Sequence, residues 1–174
     1  GEIDYYQKNT TGLLLNVNIP ATTGFGSIFK NVGKLENSGF EFVLNTQNLV
    51  GKFKWSTNIN VALNKGKVTD IQGQIIEGGV SNMNRVEEGY NVGVFFTPEF
   101  AGVDPANGNA LFYKNTKKAD GTRDRTTTSV YSEAQRVVVG DPNPDLIFGF
   151  TNNFSYKGFD MSVFFNGIQG NQNN

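Results

Sequence analysis

Paired carboxylates are the residues of this chain whose type and spacing come nearest to chemistry. Glu87-Glu88, or Asp141 with Asp145, could supply the acid and base of a glycoside hydrolase. Such a pair has to face itself across about 5 to 9.5 Å, from separate elements. Adjacent strand residues point to opposite faces, and Asp141 sits in a proline turn, so both pairs read as solvated loop charges. Asp104, Asn107 and Asn109, and Asp120 with Asp124, offer oxygen ligands of the kind calcium takes. They lack the terminal Glu of a calcium loop and read as turns. The chain has no His and no Cys, which removes the commonest general base, the commonest zinc ligand and all thiolate chemistry. Its Ser and Thr residues have no His partner to activate them, and no glycine-rich phosphate loop precedes a helix. Asn9-Thr10-Thr11 and Asn153-Phe154-Ser155 match the glycosylation sequon, a match read as chance. The expectation is no enzyme, no catalytic residue, no metal and no cofactor.

The elements that would position any site are strands. Phe53, Trp55, Thr57, Ile59, Val61 and Leu63 alternate with Lys54, Ser56, Asn58, Asn60, Ala62 and Asn64. Side chains of a strand alternate between faces, so this strand has one greasy and one wet surface. Phe40, Phe42 and Leu44 repeat the pattern before it, across the short link Gln47-Asn48-Leu49-Val50-Gly51. It returns at Leu146, Phe148, Phe150, Phe154 and Tyr156, turns at Lys157-Gly158, and continues through Phe159, Met161, Val163 and Phe165. Such runs exceed the usual five or six residues of a soluble strand and match the nine to eleven that a tilted strand needs to cross a bilayer. Aromatic residues flank both short links, as in the girdle at a membrane interface. Lipid-facing or packing candidates are therefore Phe53, Trp55, Ile59, Phe148, Phe150, Phe154 and Tyr156. Lumen-facing candidates are Asn58, Asn60 and Asn64. The aromatic stripes could instead stack on sugars, but they lie on the face that should meet lipid or a packed sheet.

Composition agrees with half-wet strands. Hydrophobic residues make up 37% of the 174 residues, Phe and Gly are abundant, and the net charge is −1. A near-neutral chain gives no reason to expect nucleic acid. No apolar run is long enough for a transmembrane helix, and a low average hydrophobicity is what half-buried barrel strands produce. The chain reads as a piece of something larger. Residues 2–15 read as a strand and 16–35 as a loop, followed by strands near 36–47 and 52–65. Residues 67–143 form a long excursion, in which 92–96 and 110–113 could be short strands and 114–128 looks mobile. If the short links are periplasmic, the excursion is extracellular, provided it contains an even number of crossings.

Several stretches then resemble the C-terminal barrel region of the SusC/RagA family of TonB-dependent outer-membrane transporters. They are DYYQKNTTGLLLNVNIPATTGF, NVGKLENSGFEFVLNT, AGVDPANGNALFY and GDPNPDLIFGFTNNFSYKGFDMSVFFNGIQGN, in that order. Residues 66–90 and 114–138 carry little of the likeness. The resemblance implies a barrel of about 22 strands around a plug. It also implies an outer-membrane location in a Gram-negative bacterium, a SusD-like surface lipoprotein, energy from TonB, and a glycan or peptide substrate. The expected fold class is all-β: antiparallel strands and long loops forming part of a transmembrane β-barrel, or an open sheet or sandwich if isolated. Residues 1–174 would be a partial barrel region, with outer-membrane lipid against its greasy face. The alternative is a soluble or surface-attached all-β module for glycan binding or adhesion, with the stripes packed on a second sheet.

Overall fold

The computed structural model describes residues 1–18 and 27–172, with side chains described for 1–13 and 33–172. Five strands form the main sheet: β1 (Glu2–Asn18), β2 (Ser27–Val50), β3 (Phe53–Asp70), β11 (Leu146–Tyr156) and β12 (Phe159–Gln169). Their order is β1-β2-β3-β11-β12, every pair antiparallel. Register keeps the alternating residues in rows: Phe40 and Phe148 lie beside the Leu63 and Val61 rows of β3, and Phe150 pairs with Ile59 on one side and Phe165 on the other. The sheet does not close, so β1 and β12 are its edges.

The links between strands follow from their residues. Lys157 and Gly158 both have positive φ, 50° and 85°, the requirement of a tight hairpin turn that keeps the strand twist. Asn48 is an extra residue between the Gln47–Ser56 and Leu49–Trp55 pairs, a bulge that swings its side chain out of the ladder.

Two readings of the sequence change here. Residues 16–35 are largely strand: β1 runs to Asn18 and β2 begins at Ser27, with Leu15 opposite Lys30 and Leu13 opposite Gly33. Residues 19–26 lie outside the described residues. A hairpin end that has no apolar face to present keeps its backbone ladder, so alternation fades while pairing persists. β3 likewise extends to Asp70, beside Lys34. The second change concerns residues 114–128, read from sequence as mobile. They are tied into the excursion by main-chain bonds from Lys114 to Thr126, Asn115 to Asp124 and Lys118 to Thr122, and by a Lys117–Arg123 bridge.

Between β3 and β11 the chain builds two small sheets. One orders β10 (Arg136–Gly140), β6 (Val94–Pro98), β5 (Asn84–Val86) and β4 (Ile76–Gly78). The other orders β7 (Phe100–Val103), β8 (Ala110–Tyr113) and β9 (Thr127–Thr128). The excursion returns to the main sheet without adding a strand to it. Among the residues with described side chains, the buried hydrophobic ones are Val68, Ile71, Val94, Ala134 and Val137, all in the excursion or at the β3 end that enters it. Among the described residues the main sheet has no second layer: Phe165 stays 57% exposed and Phe159 82%. Sandwich packing of the stripes is therefore not what forms.

Candidate functional site

The main sheet presents two faces of opposite character, and these faces are the site. On one, Phe53, Trp55 and Ile59 of β3 join Phe148, Phe150, Phe154 and Tyr156 of β11. The rings of Trp55 and Phe154 stack at 6.0 Å and those of Phe150 and Phe165 at 6.4 Å. Tyr5 of β1 and Phe40 of β2 continue the same surface at 4.8 Å. All seven apolar candidates thus share one face.

On the other face the three asparagines lie along β3, each held by a neighbour. Asn58 donates to the Asn45 side-chain oxygen. Asn60 sits over Gly149, where an added Cβ would meet Asn60 Oδ1 at 2.6 Å, so the glycine makes room for the amide. Asn64 accepts a 2.8 Å bond from the Tyr6 hydroxyl, and Gly39 leaves space beside both. An open cavity of about 770 Å³ lies at the short-turn end, bordered by Gln47, Lys54, Ser56, Asn153, Ser155 and Asp160 together with the apolar Leu49, Val50, Trp55, Phe154 and Met161. The polar members lie on the wet face, where they present amides, hydroxyls and charge; Trp55, Phe154 and Met161 belong to the greasy one.

One cluster escaped the sequence reading. Asn152 interrupts the greasy stripe, and its Oδ1 accepts from Trp55 Nε1 at 2.9 Å and from Thr57 Oγ1 at 2.8 Å. The break between Phe150 and Phe154 was visible in the alternation, but its partners on β3 are fixed only by register.

The carboxylates considered for chemistry are engaged by the chain itself. Glu88 Oε1 accepts from the amides of Gly73 and Ile71, which holds the carboxyl below its ordinary pKa. Glu87 meets Arg85, and Asp141 accepts from Asn143. Asp104 caps Ala106 and Asn107, Asp120 caps Thr122 and Asp124 caps Thr126, the turns expected of them. Glu99 receives two bonds from Arg125, at 2.6 and 2.8 Å, and one from Asn115 Nδ2 at 3.0 Å; the guanidinium above all keeps its pKa low. Arg125 also lies 3.7 Å from the Tyr113 ring centroid. Among the described residues no group of three or more acidic side chains is placed to hold a metal.

No protein-family model matches the chain. It is similar to TonB-dependent receptor P26 of Formosa agariphila, 38% identical over 182 residues, covering 98% of this chain and 18% of that protein. It is similar to TonB-dependent receptor P3 of the same species at 33%, covering 97% of this chain and 18% of that one. It is similar to TonB-dependent receptor SusC of Bacteroides thetaiotaomicron at 27%, covering 93% and 17%. Among solved structures, the RagAB peptide importer in its open-open state matches with a TM-score of 0.80 at 26% identity, over 97% of this chain and 18% of that one. In its closed-closed state the TM-score is 0.77. The chain thus spans under a fifth of the curated relatives P26 and SusC.

Proposed function

From the premise that the chain belongs, as a segment, to the SusC/RagA family of TonB-dependent receptors, we propose that it supplies wall strands and surface loops of an outer-membrane nutrient importer. The observation that carries this reading is the five-stranded sheet with one apolar and aromatic face left bare, broken only at Thr57 and Asn152 in β3 and β11, and a more polar face opposite. A soluble sheet would cover that apolar face; a barrel wall gives it to lipid. β11 and β12, at 11 residues each, have the length of a tilted crossing. Asn58, Asn60 and Asn64 then line the lumen, while Phe53, Trp55, Ile59, Phe148, Phe150, Phe154 and Tyr156 meet the bilayer. Residues 67–143 form the cell-surface excursion.

The same reading assigns the partners. A SusD-like lipoprotein caps the outer loops, TonB supplies energy through a plug, and the solute is a glycan or a peptide. No covalent step is required of the wall: it binds, orients and admits. Membrane separation of source cells, probed with an antibody to residues 114–128 and compared boiled and unboiled, tests the reading. A heat-shifting outer-membrane band far above 19.1 kDa supports it. A soluble or loosely attached band near 19.1 kDa overturns it in favour of a binding module.

A further inference from the structure

The loop that joins β7 to β8 contains an Asn-Gly step, Asn107-Gly108, one of two such steps in the chain. A step of this kind can react with itself. The main-chain nitrogen of the glycine attacks the side-chain carbonyl carbon of the asparagine and gives its proton to water. The C–N bond of the side-chain amide breaks, and ammonia leaves. Water then opens the cyclic imide at either carbonyl, which yields aspartate or isoaspartate. Glycine permits the attack because it has no Cβ in the way.

The two steps differ in their surroundings. Asn166-Gly167 lies within β12, paired with Gly149 and Phe148 of β11, and a ladder resists the backbone rotation that ring closure needs. Asn107 and Gly108 lie outside any ladder and are exposed to water. Asn107 Oδ1 accepts from the Asn109 N–H at 2.9 Å, which draws electrons from the carbon to be attacked. Asp104 opposes the reaction. Its carbonyl holds the Gly108 N–H at 2.8 Å, the proton that must leave. Its Oδ2 holds Asn107 Nδ2 at 2.8 Å, and its Oδ1 holds the Ala106 N–H at 2.9 Å.

We propose that Asn107 is a site of spontaneous deamidation restrained by Asp104, and that its conversion opens the loop between β7 and β8. The opening follows from the bond that restrains it. Conversion places a carboxylate where Nδ2 had donated, facing Asp104 Oδ2, and two like charges at hydrogen-bond distance repel. The loop gains a negative charge and loses a bond in one step. The step runs one way, because the ammonia is lost to solvent. It does not depend on the membrane reading.

The test is peptide mass spectrometry of the full-length protein, aged at growth temperature in mildly alkaline buffer. Digestion in heavy-oxygen water marks any conversion that occurs during handling. In the folded protein Asn107 should convert ahead of Asn166. It should convert faster in chain unfolded by boiling in detergent and then held under the same conditions. That comparison needs no substitution and survives variants that fail to fold. Asp104→Ala, which removes both side-chain bonds, should speed conversion in the folded protein about two- to tenfold. Asp104→Asn keeps an acceptor and should convert at the wild-type rate. Asn107→Asp stands for the product, and its amide exchange at Ala106 and Gly108 should be faster than in the wild type. Conversion of Asn166 first overturns the site. One rate for Asn107 in folded chain, unfolded chain and Asp104→Ala overturns the restraint. Unchanged exchange in Asn107→Asp overturns the opening.

Discussion

Asn115 is fully buried and sits in the left-handed region at φ 54°, where Asn is better tolerated than most residues. Its amide binds Glu99, its Oδ1 accepts from Arg125 and its carbonyl from Arg123, so one side chain joins both ends of the 99–125 segment. Asn115→Ala should destabilise the excursion by about 1–3 kcal/mol, the cost of stranding buried partners, read as faster amide exchange at Lys114 and Arg125. Asn115→Gly relieves only the backbone and should recover little. Glu99 sets a pH dependence. Its pKa is lowered in the folded chain, chiefly by Arg125, so its contribution is present above the unfolded value of about 4.3 and is lost as pH falls through the folded value. Protection of residues 114–126 should therefore hold from neutrality to about pH 5 and decline below about pH 4. In Glu99→Gln that decline should be smaller, the remainder coming from Asp120 and Asp124, whose carboxyls are likewise held below their ordinary pKa by bonds from Thr122 and Thr126. This cluster was not legible in the sequence. Lys117, Lys118, Arg123 and Arg125 read as a solvated run because the carboxylate that orders Arg125 comes from 26 residues earlier.

The strands of the main sheet were legible because a period of two survives wherever one face must be greasy and the other wet. Leu146 to Tyr156 and Phe159 to Gln169 match their alternation closely, and the turn announces itself in Lys157-Gly158. Asn31, Gly33 and Lys34 carry no such alternation, so the far ends of β1 and β2 were invisible until their ladder was seen. The membrane reading gives the greasy face a gradient. Phe150→Arg, near the middle of β11, should cost about 2–4 kcal/mol, while Phe159→Arg, beside the turn, should cost about 0–1 kcal/mol. Urea titration of the barrel folded in vesicles, scored by heat-shifted mobility, checks the pair. Equal costs would mean that the stripe does not run through a bilayer.

At the scale of the molecule, β3 and β11 are neighbours although 75 residues separate Asp70 from Leu146. The excursion therefore leaves the sheet and returns to the same place, as a loop domain standing on a wall. It is bound to that wall by main-chain bonds from Val68 to Tyr90 and from Gly89 to Val68, while Asn64 to Asp145 and Asp145 to Gln169 extend the ladder. The buried core sits in the loop domain, and the stripes stay bare, the reverse of a soluble sandwich. Sequence alone could place the strands but not decide between lipid and a second sheet, because the same alternation serves both. In the proposed barrel the two kinds of link lie on opposite sides of the membrane. The chain contains no Cys, so a single cysteine can report it. In the full-length protein with no other cysteine, Lys118→Cys in the excursion and Lys52→Cys in the short turn should be challenged with a membrane-impermeant maleimide on intact cells. Lys118→Cys is expected to label at once and Lys52→Cys only after the outer membrane is permeabilised. Equal labelling of both on intact cells, or labelling of Lys52→Cys alone, would contradict it.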